Sequence, residues 1–93
     1  MSLSRKCLEI AYSILNFSAK QGFPPTVDEV RNFVGLRSFA TLEPHLLRLR
    51  QEGILHWEPS ESRSLRVLRA EFVKSAYLER LAEERAEYIY RAP

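Results

Sequence analysis

The stretch from Thr26 to Gly53, TVDEVRNFVGLRSFATLEPHLLRLRQEG, constrains this chain more than any other. Thr26 followed three residues on by Glu29 is a capping-box signature, in which each side chain takes a backbone N–H that the first helical turn leaves unpaired. Val27, Val30, Phe33 and Val34 recur at helical spacing, and Gly35 follows as a left-handed cap. A second apolar series, Leu42, Leu46 and Leu49, runs on to Glu52 and stops at Gly53. Helix, glycine-containing turn and second helix make a helix-turn-helix, whose second helix commonly enters the DNA major groove.

Pro44 bears on where that second helix starts. A start at Ser38 would put Pro44 beyond the first turn, where its missing N–H costs around 3 kcal/mol. With Thr41 as N-cap, Pro44 falls where no intrahelical partner is needed, and Glu43 lies favourably in the first turn of the helix dipole. The expectation is therefore a helix from Thr41, entered through an irregular Leu36–Ala40 turn.

The flanking segments extend the pattern. Ser4 can cap a first helix to about Lys20, with Cys7, Ile10, Ala11, Ile14 and Leu15 on one face and Gly22 at its end. Phe23-Pro24-Pro25 forces an extended link. After Gly53 the period changes to two: residues 54–58 and 65–68 are strand-like, joined by Pro59 to Ser64. From Ala70 the chain reads as one helix of about six turns. Tyr77, Leu78, Leu81, Ala82, Tyr88 and Ile89 form its apolar stripe, and Arg80–Glu84 and Glu87–Arg91 are i,i+4 pairs. The fold class is thus mainly α: a winged helix-turn-helix of three helices and a β-hairpin wing, with an extra long C-terminal helix. Residues 1–69 are expected to form the DNA-binding domain. Residues 70–93 either fold back on it or, as a helix outreaching so small a domain, pair with a second copy; dimerisation is the favoured expectation.

Charge supports the same region. Between Arg31 and Arg69, seven arginines face Glu43, Glu52, Glu58 and Glu61, a local balance of +3 in a chain of net charge +2. A basic middle third suits a phosphate backbone. The single cysteine, Cys7, excludes an internal disulfide and fits a reducing cytoplasm. No run approaches the roughly 18 apolar residues of a membrane span, and the N-terminus does not read as a secretion signal. Cys7, His45 and His56 have no zinc-site spacing, no glycine-rich phosphate loop is present, and Glu83 and Glu84 point to different sides of a helix. No catalysis, metal or cofactor is expected.

The segments Gln21–Thr26, Glu29-Val30, Val34–Ser38, Glu43, His45-Leu46, Leu49, Glu52–Leu55 and Ser62–Leu68 resemble the N-terminal winged-helix domain of the SOS-response repressor LexA. The resemblance runs from about Ser4 to Arg69 and implies a repressor that binds palindromic operators as a dimer. LexA continues into a self-cleaving peptidase domain with a Ser–Lys dyad and an Ala-Gly cleavage site. This sequence has no Ala-Gly pair and reads as a helix there, so autoproteolysis is not expected. Ala40, Thr41 and Pro44 stand where the family has Asn, Ala and a second Glu, which implies a different operator. The family's wing glycines are absent, so the wing turn is expected to differ.

Base reading needs directional groups at the start of the third helix. Ser38, Thr41 and Glu43 qualify, Glu43 as an acceptor for a cytosine amino group, as a dipole partner, or as an ion-pair partner of Arg37. Arg48 suits a guanine or a phosphate, and His45 reads rather as a partly buried structural residue. Arg37 at the turn and Arg63 at the wing tip are the leading phosphate contacts; Arg31 and Arg66 are weaker candidates. Phe39 either meets a thymine methyl or packs inside the turn, and Trp57 is expected to pack in the wing. The partners expected are double-stranded DNA and a second copy of the chain. The competing reading is a winged-helix protein-interaction module, for which Leu47, Tyr77, Tyr88 and Tyr90 would supply apolar surface.

Overall fold

The computed structural model describes residues 3–91, with side-chain surroundings for residues 3–86. Four helices and one hairpin follow in chain order: α1 (Arg5–Gln21), α2 (Val27–Phe33), α3 (Phe39–Gln51), β1 (Leu55–His56), β2 (Arg66–Val67) and α4 (Ala70–Arg91). The architecture is the expected winged helix with an additional C-terminal helix.

The helix ends follow from their side chains. Ser4 caps α1 by accepting from the Cys7 amide at 3.1 Å. At α2 the capping box is complete: Thr26 Oγ1 accepts from the Glu29 amide at 3.1 Å, and Glu29 Oε1 accepts from the Thr26 amide at 2.8 Å. α2 and α3 close in the same way. Beyond α2, the Gly35 amide reaches the Asn32 carbonyl and the Leu36 amide reaches that of Arg31. Beyond α3, the Gly53 amide reaches Arg50 and the Ile54 amide reaches Leu49. Both are Schellman ends, which need a positive φ at the glycine; Gly35 stands at 72° and Gly53 at 73°.

The start of α3 corrects the expectation drawn from Pro44. Its N-cap is Ser38, not Thr41. Ser38 Oγ accepts from the Thr41 amide at 3.3 Å, and Thr41 Oγ1 donates to the Ser38 carbonyl at 2.8 Å. The extra turn brings Leu42 into the core within a capped helix. Pro44 forfeits one bond, to the Ala40 carbonyl, and Ala40 is exposed, so water can satisfy that oxygen.

One apolar cluster holds the elements together. Ile10, Ala11 and Ile14 of α1, Val30 and Val34, Leu42, Leu46 and Leu49 of α3, Ile54, Leu55 and Leu65 of the hairpin, and Val73 of α4 all belong to it. Phe33 does not; it is 49 % exposed and stacks on Phe17 with ring centres 5.4 Å apart.

α4 folds back along α1, so the first of the two alternatives for this segment holds for its early turns. Val73 is fully buried, Ala76 and Tyr77 pack against the core, and the Tyr77 ring lies 4.7 Å from that of Tyr12. This second neighbour explains why α1 also buries Leu8, which its single apolar stripe did not predict. Arg80 and Glu84 do not form the expected i,i+4 pair. Arg80 instead donates to the Leu3 carbonyl at 3.3 Å, and Glu84 accepts from Arg5 Nε at 3.0 Å, because α1 lies within reach of both. Contact with Glu84 raises the Arg5 pKa above its ordinary value. Leu78 is 53 % exposed. The Glu87–Arg91 pair and Tyr88, Ile89 and Tyr90 lie outside the residues whose side chains are described.

The hairpin is shorter than its alternation suggests. Leu55 pairs with Val67 and His56 with Arg66, antiparallel. Past these the strands part into a loop, as expected where Pro59 cannot donate to a ladder. Ser64 organises that loop in place of a glycine turn. Its hydroxyl accepts from the Glu58 amide at 2.9 Å and lies within donating distance of the Glu58 and Glu61 carbonyls, at 3.1 and 3.0 Å.

Candidate nucleic-acid interface

Burial of Leu42, Leu46 and Leu49 fixes the rotation of α3. Successive residues step by about 100°, so the line facing away from the core holds Ala40, Pro44, Leu47 and Gln51. All four are exposed, Leu47 by 51 %. Thr41 and Arg48 flank this line on one side. On the other, Phe39, Glu43 and Arg50 border a cleft whose far wall is Trp57 and the wing residues Pro59 and Ser62. Phe39 is half exposed at the rim of that cleft rather than packed inside the turn.

The site residues expected from the sequence fall into three groups. Ser38 and Thr41 stand together at the start of α3, exposed, with both hydroxyls already bonded in the cap. Arg37 precedes them on the surface, and among the described residues its side chain meets no carboxylate. It has no ion pair with Glu43, which is likewise without one and faces the wing cleft. Arg48 is held by Glu52 through an Nε–Oε2 contact of 3.2 Å. His45 is half-buried, with Nδ1 3.7 Å from the Cys7 sulfur, so the pair belongs to the α1–α3 contact.

Arg63 differs most from expectation. Its guanidinium turns away from the wing tip toward the start of α2, where Nη1 and Nη2 reach the two Glu29 oxygens at 2.8 and 3.2 Å. Nη1 also donates to the Pro24 carbonyl at 3.0 Å, and the guanidinium carbon lies 5.0 Å from the centre of the Phe23 ring. The Arg63 contact, with a further contribution from the Thr26 amide, holds the Glu29 carboxyl below the usual carboxylate range. The wing is thus latched to α2 by a residue expected to face phosphate. Nothing in the spacing of Arg63 and Glu29 signals this. The only hint is that a charged wing residue must pass close to the Pro24-Pro25 link once the hairpin folds under α1.

Arg31 is likewise a brace. It grips Asp28 at 2.9 Å and donates to the Leu36 and Arg37 carbonyls at 3.1 and 3.3 Å, closing the turn between α2 and α3. Arg50 sits over Trp57 at 4.6 Å, so the tryptophan packs against α3 as well as in the wing. Arg66 is exposed on β2 and, among the described residues, has no ion pair. Among the described residues, Arg37 and Arg66 thus stand at the interface with neither an ion pair nor a ring contact, around a helix whose outermost line is apolar. The described residues contain no cluster of three or more metal-ligating side chains, and no helix long and apolar enough to cross a membrane.

Residues 1–64 match the family model of the LexA DNA binding domain, which covers α1, α2, α3, β1 and most of the wing loop. Among relatives, the LexA repressor of Shouchella clausii is 33 % identical over 78 residues, 84 % of this chain and 38 % of the repressor. That of Bacillus licheniformis is 35 % identical over 69 residues, covering 74 % of the chain and 33 % of the repressor. That of Acetivibrio thermocellus is 36 % identical over 70 residues, covering 71 % and 33 %. The chain spans about a third of the length of the relatives it matches.

Proposed function

The chain belongs to the LexA DNA-binding-domain family, and from that premise we propose that it binds double-stranded DNA sequence-specifically and represses transcription as a homodimer. The observation that carries the reading is the exposed outward line of α3, set between a braced turn and a latched wing. A helix held that firmly on its inner face and left open on its outer face can enter a major groove without rearrangement.

In this reading α3 enters from its Ser38 end. Ser38 retains a hydrogen to donate and Thr41 an acceptor lone pair, so each can still meet a base edge or a phosphate. Glu43 accepts from a cytosine amino group at the wing-side edge. Arg37 supplies phosphate affinity at the turn and Arg66 at the wing. Arg48 contacts the backbone while Glu52 orients it. The role of Arg63 is to hold the wing at the angle the groove requires. Residues 1–69 form the reading unit. The exposed Leu78 and the residues of α4 beyond the α1 contact form the surface on which a second copy pairs.

The test is salt-dependent binding of purified chain to random duplex DNA, followed by fluorescence anisotropy. Affinity should fall steeply with salt, and Arg37→Ala with Arg66→Ala should flatten the slope by nearly two counterions, at about 0.9 per phosphate contact. Binding that ignores salt, or a double variant that binds like wild type, refutes the reading. Sedimentation at several concentrations tests the dimer; a monomer at all of them removes that part. A protein-interaction module is the alternative that the apolar Ala40–Pro44–Leu47 line favours, and it requires no duplex binding at all.

A further inference from the structure

We propose that base recognition by this chain is dominated by apolar contact with thymine methyl groups, made by Ala40 and Pro44 with Leu47 behind them. The inference rests on the DNA-binding reading above and names what the outward line of α3 recognises.

The argument starts from what that line lacks. Ala40, Pro44 and Leu47 are exposed, and none carries a side-chain donor or acceptor. Pro44 also lacks a backbone N–H. Gln51 shares the line, but eleven residues beyond Ala40 it stands about 16 Å along the axis, away from the end that enters the groove. The hydrogen-bonding groups near the leading end flank this line. Ser38 and Thr41 bond each other's backbone, at 3.3 and 2.8 Å, which leaves one donor and one acceptor between them, and Glu43 stands at the wing-side edge. Phosphate contacts from arginine carry no sequence information. Along this outward line the helix therefore has one means of telling base pairs apart in the major groove. Of the four bases only thymine presents an apolar group there, its 5-methyl.

The geometry makes the expectation more specific. Ala40 and Pro44 lie one turn apart, about 6 Å along the axis. Bases rise by about 3.4 Å per step on one strand, so the two residues address positions roughly two steps apart. The bound half-site should accordingly carry thymines at that spacing, on one strand or across the groove. Pro44 suits the task because its ring is rigid and presents only C–H groups. Placed in the first turns of α3, it gives up a single helical bond there.

The experiment uses the full chain. Duplexes enriched from a random pool are resynthesised with deoxyuridine replacing each thymine in turn, which removes one methyl and leaves base pairing intact. Two thymines per half-site should each lose about fourfold in affinity, the worth of one buried methyl group, and other thymines should be indifferent. In Ala40→Asn with Pro44→Glu, whose helix content by circular dichroism should match wild type because both sites are exposed, the sensitivity at those two positions should vanish. Full affinity for every deoxyuridine duplex overturns the inference and leaves DNA binding intact. So does a double variant that keeps the same fourfold losses. A chain that enriches no duplex overturns the DNA-binding reading and this inference with it. The deoxyuridine series alone decides the matter if the variant does not fold.

Discussion

Val73→Ala tests whether α4 belongs to the domain that precedes it. Val73 is fully buried within the common core. The substitution removes two methyl groups, each worth about 0.8 kcal/mol in transfer out of water, and adds a cavity cost where the site cannot collapse. Alanine returns about 0.5 kcal/mol because it forms helix better than valine. The net loss is about 1.5 kcal/mol, which for a chain of this size lowers Tm by roughly 6–12 °C. Urea unfolding followed at 222 nm measures it, with Ser75→Ala on the exposed side of the same turn as control; that change should gain a few tenths of a kcal/mol at most. The sign is what discriminates. A helix standing clear of the domain would be stabilised by both substitutions. An unchanged or raised midpoint for Val73→Ala would therefore refute the fold-back packing. A loss that grows as protein concentration rises tenfold would instead assign the burial to a second copy.

Ser38→Ala should cost about 1 kcal/mol of stability, as N-cap losses do, measured by the same unfolding; no loss would mean that α3 starts elsewhere. Arg37→Ala should weaken binding to all duplexes alike and lower the salt slope by about 0.9, with sequence preference from a random pool unchanged. Glu29→Gln tests the wing latch through pH. The Glu29 pKa is depressed in the folded chain, so its contribution is present above the ordinary carboxylate range and is lost as pH falls through the folded-state value. The stability gap between wild type and Glu29→Gln should therefore be widest near neutral pH and close toward acid. A gap that widens on acidification would contradict the pairing with Arg63.

The parts of the fold legible in the sequence are those whose causes lie within a few residues. Thr26 and Glu29 cap each other across one turn, and Gly35 and Gly53 end helices through bonds to residues three to five positions earlier. Those signals are local, and the structure repeats them. Pro44 misled for a related reason. The bond it forfeits is to the carbonyl of Ala40, an exposed residue, and Ser38 and Thr41 together make the earlier start favourable. The packing of α4 could not be read in the same way. Its apolar stripe admits either its own domain or a copy, and Val73, which packs in the domain core, precedes the start of that stripe at Tyr77. Among the site residues, Arg37, Ser38, Thr41 and Glu43 occupy the surface around the α3 start as their positions suggest. Arg63 does not project from the wing, because its partner lies 34 residues away in sequence and only the folded hairpin brings Glu29 within reach.

Glu29 Oε1 accepts at 2.8 Å both from the Thr26 amide and from Arg63. One atom therefore closes the first turn of α2 and moors the wing. A swing of the Glu29 carboxylate therefore releases the Thr26 amide and Arg63 together, leaving Thr26 Oγ1 on the Glu29 amide and Arg63 on the Pro24 carbonyl. In kinetic language, that one side-chain motion is a step common to fraying of the first turn of α2 and to release of the wing.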